Sequence, residues 1–290
     1  MTRSPTRRSL ILGCALLLAA ATGAAAQERL SGRAPVPRDG TIVIRTQNGS
    51  VQVEGWSRAE VSVQGDRSRD GQISIRTRGG RTVVGTEGSE NLQVRVPAGS
   101  RVEVRTRTGN IQVRGVTGAV SLESSSGSFQ ISGSPRMVSV EGISGSIELN
   151  GSTEILRVKT LSGDIRIPRA RGFVELSTVS GNIRVESRGV ERGTLRNTSG
   201  RTEFRGSIPR DASLHFESSS GEIELRLPSR TAADFELTSL GGGEIDSELG
   251  PEPRTPVRRR GVEVLRFSTG RGGAEITART VSGSIRLRRQ

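Results

Sequence analysis

The chemistry open to this chain is narrow. Its 290 residues include one histidine, His215, and one cysteine, Cys14. A lone histidine rules out a histidine-rich metal site or a paired-histidine mechanism, and a lone cysteine rules out a zinc–thiolate centre. A serine triad would have to recruit His215 together with a carboxylate, yet Leu214-His215-Phe216 reads as strand with the imidazole pointing to solvent. No Gly-x-Ser-x-Gly stretch stands in a strand-to-helix context, and no segment reads as helix. Asp164 and Asp246 are isolated, so the clustered carboxylates of a polysaccharide lyase or hydrolase are missing. The sequence therefore implies no enzyme, no metal and no cofactor. What remains is arginine, which dominates 43 basic residues set against 30 acidic ones. Guanidinium groups recognise anions, and the exposed candidates for contact with an anionic polymer are Arg166, Arg184, Arg258, Arg259 and Arg260.

A repeat must position these residues. Val138 to Leu149, Leu156 to Ile167 and Val174 to Val185 carry one pattern three times at a spacing of 18 residues. Such a period with strand-like alternation marks a solenoid, whose repeats are each too small to bury an apolar face alone. The fold class is all-β: a single-chain parallel β-solenoid, or β-helix, with coils of about 18–22 residues. Turn glycines fall at Gly109, Gly127, Gly145, Gly163, Gly181, Gly200 and Gly221, at spacings of 18, 18, 18, 18, 19 and 21. A slack coil with Gly242 and Gly243 follows, then a Pro-rich loop at 250–260, and Ile276 to Leu287 is the last repeat. Each Ser-Gly or Thr-Gly pair lies between two alternating runs, so glycine is expected to supply the positive φ of a corner.

The position two residues after the glycine should point inward: Ile111, Phe129, Ile147, Ile165, Ile183, Thr202, Ile223 and Ile285. Its partner two further on should do the same: Val113, Ile131, Leu149, Ile167, Val185, Phe204, Leu225 and Leu287. Phe216 and Phe235 also fall on inward positions, while Trp56 is expected to cap or wedge the first coils. Outward residues become axial neighbours in a parallel stack, predicting the pairs Glu148–Arg166, Arg184–Glu203 and Arg157–Glu175. Arg288 and Arg289, just beyond Leu287, read as guards of an open strand edge that could otherwise template self-association through the solenoid ends.

Residues 1–26 read as a signal peptide: Arg3, Arg7 and Arg8, an apolar run from Leu10 to Ala21, then Ala24-Ala25-Ala26 for cleavage. The run is too short to span a bilayer as a helix, so the mature chain carries no transmembrane helix. Thr6 to Leu10 resembles a twin-arginine signal and Ile11 to Cys14 a lipoprotein box, but the general secretory route is the default and Cys14 sits inside the apolar run. Residues 27–40 read as a flexible leader and 41–290 as the solenoid. Removing the signal peptide leaves 40 basic residues (43 minus 3) against 30 acidic, a charge of +10. A solvated surface accounts for such a charge, and so does attraction to an anionic polysaccharide or envelope surface. Nucleic acid is excluded by export and by the want of exposed aromatic platforms.

Gly49-Ser-Val-Gln-Val-Glu-Gly55-Trp56, the connector Val94-Arg-Val-Pro97-Ala-Gly99 and the recurring Ser-Gly-x-Ile-x-Val coils resemble the DUF4097 family of bacterial envelope proteins, over about Thr41 to Leu287. The resemblance implies a non-enzymatic adhesin or surface-contact module, periplasmic, envelope-bound or extracellular, and the family supplies no catalytic residue to carry over. The alternatives are a structural spacer or self-assembling scaffold and, behind these, a polysaccharide-active β-helix enzyme.

Overall fold

The computed structural model describes residues 29–66, 72–87, 91–249, 257–259 and 261–290, and these form twenty-five strands without a helix. In the middle of the chain each coil is two strands meeting at the glycine corner, such as Ala119–Ser126 with Phe129–Gly133. The next coil lies parallel at an offset of 18, with Val120 beside Val138 and Phe129 beside Ile147. Further on, Ile165–Ser180 and Ile183–Ser199 run unbroken from one coil into the next.

Alternation decides which atoms meet. All sixteen residues of the two inward columns are buried, none more than 1 % exposed. Facing them are columns from the preceding strand of each coil, among them Val120, Val138, Leu156 and Val174 with Leu122, Val140, Val158 and Leu176. Full burial of each such side chain contributes about 1.5–3 kcal/mol, so the core gains stability coil by coil. Larger rings are balanced locally. Where Phe129 stands in place of isoleucine, Gly142 on the next coil leaves the room, since a Cβ there would lie 3.2 Å from the ring. Phe204 meets Phe216 edge to face, with centroids 5.4 Å apart, beside the small Thr202.

The glycine corners form a column of their own. Gly163 has φ +146°, and a Cβ on it would overlap the carbonyl oxygen of Gly145 one coil below. Gly221 and Gly283 lack a positive φ, yet a Cβ on either would overlap the glycine carbonyl beneath it. Axial closeness, as much as backbone conformation, therefore demands glycine along this corner.

At both ends the order of coils in space departs from their order in the chain. Thr41–Arg45 and Val51–Trp56 stack directly on Arg101–Thr108 and Ile111–Arg114, while Arg81–Glu87 and Leu92–Pro97 lie on their outer side. Antiparallel strands then cover the outermost coil: Gln72–Arg78 on Arg81–Glu87, and Glu60–Asp66 on Leu92–Pro97. Arg29–Pro35, expected to be flexible leader, is instead a strand antiparallel to Glu60–Asp66. Trp56 holds this end as expected, its Nε1 donating to Glu60 O at 2.9 Å with Arg58 and Arg95 over its ring.

The other end repeats the device. The last repeat in sequence, Ala274–Thr280 with Ile285–Arg289, is inserted between Ser213–Ser218 with Ile223–Leu227 and Ala233–Ser239 with Ile245–Ser247. Val262–Thr269 lies antiparallel on the outer coil, and Val257–Arg259 pairs with it in turn. Arg288 and Arg289 thus do not guard an edge. Arg288 donates to Asp246 at 2.6 Å and Glu248 at 3.0 Å, and Arg289 donates to Glu248 O at 2.8 Å, tying the inserted coil to the outer one.

Candidate contact surface

The outward faces carry ladders of charge. Arg166 and Arg184 are register partners on adjacent coils, in a column that continues to Glu148 on one side and Glu203 on the other. Arg184 Nε donates to Glu203 Oε2 at 2.9 Å, and Arg166 Nε lies 3.9 Å from Glu148 Oε1. Arg157 pairs with Glu175 at 3.5 Å, so all three ion pairs expected from the 18-residue offset are present. Neighbouring columns add Arg105–Glu123, Arg196–Glu217 and Arg201–Glu222. Such exposed pairs are each worth about 0–1 kcal/mol. Arg205 and Arg288 have their pKa values raised by hydrogen bonds to Glu186 and Asp246 respectively.

The structure joins Arg166 to Arg184 and separates both from the other candidates. Arg258 and Arg259 belong to the strand Val257–Arg259 beyond the outermost C-terminal coil. Arg260 and residues 250–256 of the Pro-rich loop lie outside the described residues, as does the whole of the expected signal peptide.

Residues with catalytic potential serve the ladder instead. Asp164 accepts from the Asn182 backbone at 2.8 Å and from its amide at 3.1 Å, and Asn182 in turn accepts from the Arg201 backbone at 3.1 Å. Asp246 is taken by Arg288. His215 is exposed, with Nε2 3.2 Å from Ser213 Oγ on the same strand and no carboxylate on its ring among the described residues. Nor do the described residues hold a cluster of three or more His, Cys, Asp or Glu that could bind a metal.

Two features escaped the sequence reading. A column of buried hydroxyl and amide side chains stands three residues before the corner glycines: Thr106, Ser124, Thr160, Thr178, Asn197, Ser218 and Thr280. Ser124 donates to Ser126 O at 3.0 Å, and Ser218 accepts from Gly221 N at 2.8 Å, so these groups satisfy the corner backbone from inside. The signal was the Thr or Ser at a fixed distance from each glycine. The second feature is a run of exposed apolar residues just before the Ser-Gly pairs, Ile143, Leu161 and Val179, with Val281 at the same position of the inserted coil.

A model of the Toastrack DUF4097 family matches residues 38–288. The chain belongs to that family. No curated protein matches it. Among solved structures, the Toastrack chain is similar to a candidate adhesin from Bacteroides fragilis, with 11 % identity, a TM-score of 0.45, and 90 % of this chain and 97 % of that one covered. It is also similar to a candidate cell adhesion protein from Clostridium sporogenes (9 %, TM-score 0.23, 91 % and 100 % covered). A third is a candidate lipid-binding protein from Parabacteroides distasonis (12 %, TM-score 0.35, 89 % and 96 % covered). The described residues of the Toastrack chain include no helix long and apolar enough to cross a membrane.

Proposed function

We propose that this Toastrack protein is a non-enzymatic surface-contact module, exported to the cell envelope or beyond, that binds anionic envelope polymers through arginine. The observation that carries this reading is how the outward charges are used. Most outward carboxylates are held by an arginine or amide of a neighbouring coil, as Glu203, Glu217 and Asp164 are. Arginine remains in excess on a body of stacked ladders, the form suited to repeated contact with a polymer. The names of the similar proteins from Bacteroides and Clostridium agree with a contact role, though the likeness itself extends to fold alone.

The reading predicts that labelled protein sediments with isolated envelope material at low salt and is released at high salt, because exposed charge pairs are screened within about 10 Å at 0.1 M. Changing Arg258, Arg259 and Arg260 to Gln weakens the association further. Absence of sedimentation in either salt would overturn the contact role and leave a spacer or scaffold.

A further inference from the structure

The regular stack is broken at one corner, and the break makes a basin. Ile167 pairs with Val185 at an offset of 18, but after register shifts around Ala170 and Gly172 the pairing resumes as Phe173 with Arg192, an offset of 19. The offset falls to 17 at Ala170 and Ser187, returns to 18 at Gly172 and Val190 and reaches 19 at Phe173 and Arg192, so the net extra residue lies between Val185 and Arg192. Ser187 is buried and pins the detour: its Oγ donates to Ser207 O at 2.6 Å and accepts from Gly189 N at 3.2 Å and Val190 N at 3.1 Å. Gly189 has φ +116° with open space around the position of a Cβ, so the backbone conformation rather than packing calls for glycine. On the facing lip Gly172 has φ +64°, and a Cβ there would sit 2.6 Å from Glu154 O.

These turns bring Arg171, Arg188 and Arg192 around a depression of about 630 Å³, together with Glu154, Glu191 and Phe173. The charges behave unlike those one column away. Arg157–Glu175 and Arg205–Glu186 are closed ion pairs, whereas none of these three arginines or two glutamates forms an ion pair with a described residue. All five charged residues are exposed, and Phe173 is half-buried with the Arg157 guanidinium 5.3 Å from its ring.

We propose that this basin binds an acidic sugar unit of a polysaccharide, which deepens the contact role above and rests on it. The guanidinium groups offer paired donors to a carboxylate, sulfate or phosphate substituent. Glu154 and Glu191 accept from sugar hydroxyls, and Phe173 gives an apolar edge for ring C–H groups. The two carboxylates are the discriminating feature. A bare polyanion or a flat anionic membrane meets repulsion from them, while a hydroxyl-rich acidic sugar satisfies both signs of charge.

The test measures binding of the full chain to polygalacturonate, dextran sulfate, neutral dextran and vesicles containing phosphatidylglycerol. The wild type is expected to bind one or both acidic polymers and neither neutral dextran nor vesicles; polygalacturonate and dextran sulfate separate a carboxylate from a sulfate ligand. Arg188→Gln and Arg192→Gln should each weaken binding about tenfold, the worth of a lost charge-assisted hydrogen bond. Arg105→Gln, in a closed pair several coils away, should leave it unchanged, and Glu191→Gln should weaken polymer binding while strengthening attachment to vesicles. Equal binding by wild type and both arginine variants would overturn the basin while sparing the contact role. Binding to vesicles alone would overturn the sugar in favour of a membrane. Failure to bind either acidic polymer would overturn the proposal, and salt-sensitive sedimentation with envelope material would then show whether the contact role fails with it.

Discussion

Between Arg101 and Ser199 the coils stack in the order in which the chain supplies them, whereas at either end a coil distant in sequence is inserted between neighbours. The middle has little freedom. With 18 or 19 residues per coil and a short corner at each glycine, the next coil has one reachable slot. At the ends, residues 57–80 and 248–273 separate successive repeats, and closing a longer loop costs only slightly more. Slots there are filled by fit: Gly49 lies under Gly109, Gly283 on Gly221 and Gly243 on Gly283, with the apolar columns continued through each. The antiparallel strands Gln72–Arg78 and Val262–Thr269 then take up the edges that a parallel stack leaves open.

This contrast sets the expected sizes of perturbation. Gly163→Val combines a positive φ with overlap on the coil below, so it should cost about 3 kcal/mol or more in urea unfolding. Gly80→Ala, in the end hairpin, has φ +75° but open space, and should cost about 1 kcal/mol. Equal costs would mean that the glycine column is not set by axial contact. A smaller contrast is expected in the core: Leu176→Ala, fully buried in the middle, should cost about 3 kcal/mol, and the partly buried Ile75→Ala about 1 kcal/mol.

The smallest effect concerns pH at the C-terminal end. Asp234 accepts hydrogen bonds from the Ser268 hydroxyl and, at 3.3 Å, from Gly273 N–H, and these hold its pKa below the usual carboxylate value of 3.8. A depressed folded-state pKa contributes stability above the unfolded value, and that contribution is lost as pH falls through the folded one. Amide exchange at Gly273 should therefore lose protection in that acid range in the wild type. In Asp234→Asn the pH dependence should be absent, and its persistence would assign it to another group.

Much of the fold was legible because period and alternation are local properties that this architecture converts directly into contacts. Ile165 below Ile183, and Arg184 below Glu203, follow once the offset is known. The exchange of coils at the C-terminal end was not legible, since Gly221 could be followed by Gly243 as well as by Gly283, and nothing in a one-dimensional pattern ranks the two. Arg29–Pro35 was hidden for a related reason: its partner is an antiparallel strand outside the repeat. At the surface, Arg166 and Arg184 stand on an outward column beside Glu148 and Glu203 as the 18-residue offset implied, whereas Arg188 and Arg192, which form no ion pair with a described residue, were not singled out. The 19-residue spacing from Gly181 to Gly200 was the trace of that basin, visible as a number without its meaning.

The insertion of the last repeat is tested most directly by cysteine pairing in a Cys14→Ser background. His215, Thr277 and Glu236 are successive register partners on outward positions, each strand about 4.8 Å from the next and so within disulfide reach. Oxidation should link His215→Cys with Thr277→Cys, and Thr277→Cys with Glu236→Cys, while His215→Cys with Glu236→Cys stays reduced. A ready bond between positions 215 and 236 would show that the coils stack in chain order throughout, contradicting the exchange at the C-terminal end.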